Sequence, residues 1–245
     1  LILPPGASPH TFEPTPQIVR RTQEARVIFA FGYGLDDWAL DLVGDPSRVK
    51  KVDEGIILRS PTQSAIEVSS EDEEEDHGSI DPHYWLTVKN AMRISQTIHE
   101  ELIAEFPEKN EQLTKNFQEY LKKLEELDTE INSKLAPLEN KTLITFHDAW
   151  YYFADAYGLT IAATFEPTVG REPTPQYLAK LSKIIKQTGV RVLYAEPQFS
   201  SAGLEGFLSN SQIQIAIIDA EGGGIGSTSY IELMRSNVDT ILKNQ

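Results

Sequence analysis

The chain contains no cysteine. That removes disulfides and thiolate ligands, so any metal has to be held by histidine and carboxylate. Basic residues are also short, 22 against 37 acidic ones, for a formal net charge of -15. A surface of that sign repels nucleic acid and anionic lipid, and it attracts cations. No apolar run reaches the roughly 18 residues needed to cross a bilayer. The opening, Leu1-Ile2-Leu3-Pro4-Pro5-Gly6, has no initiator methionine, basic region or apolar signal core. It reads as the end of a strand running into a loop, so a preceding segment is expected. What is present is ordinary globular material: 245 residues, 40% apolar and 24% charged, enough for two lobes with real cores.

Hydrophobic spacing divides the chain. A helix near residues 15–24, a strand at Val27–Phe31, a helix from about Asp36 and a short strand within Val49–Leu58 form a first half. The run Glu71-Asp72-Glu73-Glu74-Glu75-Asp76-His77 is expected to be a solvated, disordered loop, because like charges at that density repel. Helices follow at residues 86–105 and 108–136. In the second, Leu113, Phe117, Tyr120, Leu121, Leu124, Leu127, Ile131 and Leu135 recur at three- and four-residue steps. Strands at Thr142–Phe146, Thr160–Ala163, Val190–Ala195 and Ile213–Ile218 alternate with helices at Asp148–Tyr157, Pro175–Thr188, Gly203–Ser209 and Ser229–Asn244. That alternation means βαβ units and a parallel sheet. Glu-Pro-Thr-Pro-Gln occurs twice, at 13–17 and 172–176. In each copy Thr is placed to cap a helix and the second Pro to occupy its first turn, so two lobes of related architecture are expected.

Three of the five histidines share a setting. His10 follows Pro9, His83 follows Pro82, and His147 ends the strand Leu143-Ile144-Thr145-Phe146. Each stands where strand or loop gives way to helix, the place where open α/β sheets bind ligands. Three imidazoles suit Zn²⁺ better than Mg²⁺ or Ca²⁺. Asp219, at the end of Ile215-Ala216-Ile217-Ile218, is the first candidate for a fourth, carboxylate ligand, with Glu221 and Glu196 as rivals. His77, in the acidic run, is an auxiliary candidate; His99, on a helix face, is expected to be structural. Gly222-Gly223-Gly224-Ile225-Gly226 lacks the residues of a phosphate loop and is expected to be a mobile connection.

Taken in order, these segments resemble the metal-binding substrate-binding proteins (cluster A-I) of ABC importers, which serve zinc and manganese. The resemblance is carried by Pro4-Pro5-Gly6-Ala7-Ser8-Pro9-His10-Thr11-Phe12-Glu13-Pro14, by Asp81-Pro82-His83-Tyr84-Trp85-Leu86, by Thr145-Phe146-His147-Asp148-Ala149-Trp150, by Glu196-Pro197-Gln198-Phe199 and by the stretch Tyr230 to Asn237. It implies two Rossmann-like α/β lobes with parallel sheets, joined by one long rigid helix, with the metal in the cleft between them. The expected boundaries are 1–106 for the first lobe, with the acidic loop at 69–79, then 107–137 for the linker helix and 138–245 for the second lobe. Family members carry a signal and a first strand–helix unit ahead of the matched region, so the first lobe is expected to lack that unit. A histidine at position 147 resembles the zinc proteins, where manganese proteins usually have glutamate.

The resemblance implies a monomeric protein, periplasmic or lipid-anchored outside the membrane, that captures Zn²⁺ (Mn²⁺ as the lesser expectation) and hands it to an ABC permease without chemistry. Histidine ligands must be neutral, so affinity is expected to fall below roughly pH 6. Two rivals remain at this level: an adhesin that also binds Mn²⁺ or mixed metals, and a zinc hydrolase with Glu196 as base.

Overall fold

The computed structural model describes residues 2–4, 6–61, 80–166, 172–199, 202–209, 213–222 and 229–245. The acidic run with His77, and Gly223, Gly224, Ile225 and Gly226, lie outside the described residues.

The first lobe starts with α1 (Pro16–Glu24), whose cap is the Thr15 hydroxyl accepting from the Ile18 amide. β1 (Ile28–Ala30) pairs in parallel with β2 (Val49–Lys51) across the short α2 (Asp37–Leu40). Between β1 and α2, Gly32, Tyr33 and Gly34 all have positive φ. The Asp36 carboxylate secures this turn by accepting from the Phe31 and Gly32 amides at 2.6 and 2.7 Å. α3 (Val88–Glu105) follows and is capped by the Thr87 hydroxyl.

A 3-10 turn at Pro107–Lys109 runs into α4 (Asn110–Leu135), 26 residues and about 39 Å long at 1.5 Å per residue. Its apolar stripe is buried unequally. Leu124, Leu127, Ile131 and Leu135 are sealed, whereas Leu113, Phe117, Tyr120 and Leu121 are only partly covered.

The second lobe holds β3 (Thr142–Thr145), α5 (Tyr151–Tyr157), β4 (Thr160–Thr164), α6 (Pro175–Thr188), β5 (Val192–Ala195), α7 (Ala202–Leu208), β6 (Gln214–Ile217) and α8 (Tyr230–Asn244). Its sheet is wholly parallel, in the order β4-β3-β5-β6. The second copy of the repeated pentapeptide also opens a helix: the Thr174 hydroxyl caps α6 and Pro175 takes its first turn. α5 and α6 each end on a left-handed glycine, Gly158 and Gly189, the usual C-terminal stop.

The two lobes share one apolar core. Leu86, Val88 and Ala91 of the first pack with the sealed half of α4 and with Trp150, Phe153, Met234, Val238 and Ile241 of the second. α4 lies against both α3 and α8, which is why its second half is the better buried. Hydrogen bonds stitch the same seam. Trp85 Nε1 donates to the Ala220 carbonyl at 2.8 Å, and the Tyr230 hydroxyl donates to the Trp85 carbonyl at 2.8 Å. The Tyr152 hydroxyl receives the Arg59 amide at 2.9 Å and donates to the Asp81 carbonyl at 3.2 Å. No described helix is long and apolar enough to cross a membrane.

Candidate metal centre

The parallel sheet sets the second lobe's side of the centre. His147 follows β3, Glu196 follows β5 and Asp219 follows β6, all at the carboxyl ends of strands. His83 comes from the first lobe, two residues after Asp81. One Asp81 oxygen accepts the His83 amide at 3.0 Å and pairs with the ring Nδ1 at 2.9 Å, which folds the segment into a turn. His10 sits in the loop before α1, where Phe12 packs edge-on against Trp38 and the Ser8 hydroxyl receives the His10 amide at 3.4 Å.

The three rings meet. Their centroids are 5.3 Å (His10 to His83), 5.3 Å (His83 to His147) and 5.9 Å (His10 to His147) apart. One nitrogen from each lies within 4.8 Å of the other two. His10 Nε2 and His83 Nε2 stand 3.2 Å apart. Two imidazoles on one tetrahedrally held cation, at a metal–nitrogen distance of about 2.0–2.1 Å, bring their nitrogens to about 3.3–3.4 Å of each other, so this pair stands close to the spacing of a shared metal ion. His83 and His147 are buried and His10 half-buried. His147 spends Nδ1 on Glu196 Oε1 at 2.6 Å, and its Nε2 is buried with no hydrogen-bond partner among the described residues.

Burial, and then the charges of His83 and His147, hold His10 down to about 3. His83 is likewise held at about 3, by burial first and then by His147. His147 goes the other way. Burial alone lowers it, but the charge and hydrogen bond of Glu196, with Asp148 and Glu221, raise it to about 9. Burial pushes Asp81 up to about 7 and Glu221 up to about 8.

The candidate carboxylates take different places. Asp219 Oδ1 accepts from Gln198 Nε2 at 2.8 Å and from the Glu221 and Gly222 amides at 3.0 and 2.8 Å. Asn237 clasps the Asp219 backbone from both sides, at 2.8 and 2.7 Å. With these bonds Asp219 braces the loop after β6. Glu221, two residues on, accepts from the Ser8 hydroxyl at 3.4 Å across the cleft, and its Oε2 is buried without a partner among the described residues. Glu196 is committed to His147 and to Trp150 Nε1 at 3.3 Å. His99 lies far from the centre, stacked on Phe117 with Nε2 3.1 Å from the Thr114 hydroxyl. Sequence reasoning passed over Asp81 and Ser8. The Asp-x-His spacing was the available signal for Asp81, while Ser8 meets Glu221 only through the fold.

Two parallel α/β lobes closed over inward-turned histidines, with a continuous core behind them, define the class: a cleft-binding protein for a metal cation. Comparison with known proteins agrees. The family model described as zinc-uptake complex component A, periplasmic (ZnuA), matches residues 1–244, and the chain belongs to that family. The manganese-binding lipoprotein MntA of Halalkalibacterium halodurans is 30% identical over 247 residues, 98% of this chain and 79% of the relative. The iron ABC transporter substrate-binding lipoprotein MtsA of Streptococcus pyogenes is 33% identical over 250 residues, with the same coverage of 98% and 79%. Among solved structures, ZnuA aligns with a TM-score of 0.81 at 24% identity over 99% of this chain and 89% of its own, a likeness of fold. FpvC of Pseudomonas aeruginosa, in complex with Mn²⁺, aligns with a TM-score of 0.81 at 26% identity over 99% and 88%. The protein is an extracytoplasmic metal-binding component of an ABC importer, and not an enzyme.

Proposed function

We propose that the protein captures Zn²⁺ in the cleft and delivers it to its membrane permease. His10, His83 and His147 supply three neutral imidazole nitrogens, and Glu221 supplies the carboxylate. The observation that carries this reading is the approach of His10 Nε2 and His83 Nε2 to 3.2 Å in a set of three mutually close histidines. That is the spacing of two imidazole nitrogens that share a cation or a single proton, and His147 adds to the same group a buried Nε2 with no partner among the described residues. Glu221 is preferred over Asp219 because Asp219 Oδ1 already holds three donors, while Glu221 Oε2 is buried and unpartnered among the described residues. A set of three nitrogens and one oxygen favours Zn²⁺, a borderline cation, over Mn²⁺, which prefers oxygen-rich sites.

In this reading residues 1–106 and 138–245 are the two jaws and 107–137 the strut. A core continuous across the strut resists wide opening, so release follows modest lobe motion or local opening of the His10 loop on docking to the permease. The protein acts as a monomer. A second reading, Mn²⁺ or Fe²⁺ as the natural cargo, draws on the manganese and iron in the names of MntA and MtsA. Calorimetric titration of the metal-free protein with Zn²⁺, Mn²⁺ and Fe²⁺ decides between them. Tight one-to-one binding of Zn²⁺ with weak binding of the others supports zinc delivery; preference for Mn²⁺ or Fe²⁺ overturns it.

A further inference from the structure

Two of the three histidines are held from behind by a buried carboxylate and the third is not. Asp81 Oδ1 lies 2.9 Å from His83 Nδ1, and Glu196 Oε1 lies 2.6 Å from His147 Nδ1. Asp81 is 4% exposed and Glu196 2%, so neither contact is diluted by water. Each of these oxygens already accepts from a group that can only donate, Asp81 Oδ1 from the His83 amide and Glu196 Oε1 from Trp150 Nε1, so each ring must present its Nδ1 as N–H, which leaves Nε2 as the nitrogen aimed at the cleft. Among the described residues no carboxylate stands behind His10.

The two supports are built differently. Asp81 is local: the same oxygen accepts the His83 amide at 3.0 Å, so acid and imidazole travel as one turn. Glu196 reaches His147 from a neighbouring strand, 49 residues away, and Trp150 Nε1 steadies the same oxygen at 3.3 Å. Burying a carboxylate is costly unless it is paired and hydrogen-bonded. Packing alone would be served by an apolar residue at either place. An acid kept at both points to a task that only an acceptor of this charge performs.

We propose that Asp81 and Glu196 are positioning residues: they fix the tautomer and ring orientation of His83 and His147, so that both Nε2 atoms are preset for the cation. The inference rests on the proposed ligand set and names what prepares two of its members. Loss of such an outer partner weakens metal binding by about 10–100-fold in general. The alternative is that both acids only fill space and tie loops together.

The test uses Asp81→Asn, Glu196→Gln and Glu196→Ala beside the parent, with Glu126→Gln, exposed on α4, as a surface control, and Zn²⁺ itself as the probe. Affinity is measured by competition with a chelator, and folding by thermal unfolding of the metal-free forms. The two amide variants keep the shape of the side chain, so they are expected to unfold near the parent's midpoint yet bind Zn²⁺ about 10-fold more weakly. Glu196→Ala should lose about 100-fold, and Glu126→Gln nothing. Unchanged affinity in both amide variants and in Glu196→Ala overturns the proposal. A second readout needs no metal. In the parent, the His147 Nδ1–H should give a downfield, slowly exchanging nitrogen-coupled resonance, absent from Glu196→Ala. Its persistence there also overturns the proposal. If the parent did not bind Zn²⁺ but showed this resonance, the zinc reading alone would fall.

Discussion

His147 Nδ1 and Glu196 Oε1 face each other at 2.6 Å with both side chains wholly excluded from solvent. The pair decides how the centre responds to pH. With His147 raised to about 9, its ring carries a proton at neutral pH, and a cation must displace that proton to bind. His10 and His83, held near 3, are already neutral.

The expected pH dependence therefore differs from that of free imidazoles. Zn²⁺ affinity should rise about tenfold per pH unit between 6 and 8 from the His147 proton alone, and level off above about 9. Glu221, raised to about 8, adds a second proton below that pH and steepens the rise. Burial replaces the fall-off near pH 6 expected from the sequence, because it takes His10 and His83 out of that range while Glu196 carries His147 above it. Calorimetry at pH 7 in buffers of different ionisation heat should find at least one proton released per ion; none released refutes the scheme.

His147→Ala should abolish tight binding, with a loss beyond the about 100-fold ceiling for an outer partner, since a ligand itself is gone. Titration with Zn²⁺ reads this directly. Binding equal to the parent would place the site elsewhere.

Glu221→Gln and Asp219→Asn separate the two carboxylates. Glu221→Gln should weaken Zn²⁺ binding with little change in the thermal midpoint. Asp219→Asn should lower the midpoint, because three donors lose a charged acceptor. The opposite pattern would return Asp219 to the role of ligand.

Leu127→Ala tests the shared core. The side chain is fully buried on the stretch of α4 that touches both lobes, so about 2–5 kcal/mol should be lost. Denaturant unfolding should remain a single transition, shifted to lower concentration. Two separated transitions would mean that the lobes fold independently.

Tyr152→Phe removes the hydroxyl that receives the Arg59 amide and donates to the Asp81 carbonyl. A loss of about 1–3 kcal/mol is expected from the unpaired groups left behind. Because Asp81 steadies His83, a several-fold drop in Zn²⁺ affinity should accompany it. Full affinity in the variant would uncouple the seam from the site.

Much of the fold is legible in local chemistry. Thr15-Pro16 and Thr174-Pro175 open helices because a hydroxyl followed by a proline satisfies a first turn without tertiary help. The parallel sheet follows from strands and helices alternating at crossover spacing, and all four expected strands of the second lobe are present. The apolar stripe of α4 gives its existence and length to within two residues at its start, but not its unequal burial, which depends on α8 arriving from the far end of the chain.

The sequence alone determined which chemistry was available: no thiol, an acidic surface, and three histidines at junctions where strand or loop becomes helix. Only the tertiary structure decided which groups share the centre and in what state. It sets Glu196 against His147 Nδ1, gathers three donors on Asp219 Oδ1, and carries Glu221 across to Ser8. The reason is physical. A residue's place along the chain fixes which donor it offers, but its direction, its partner and its proton depend on neighbours brought from other strands and on the water that their packing removes.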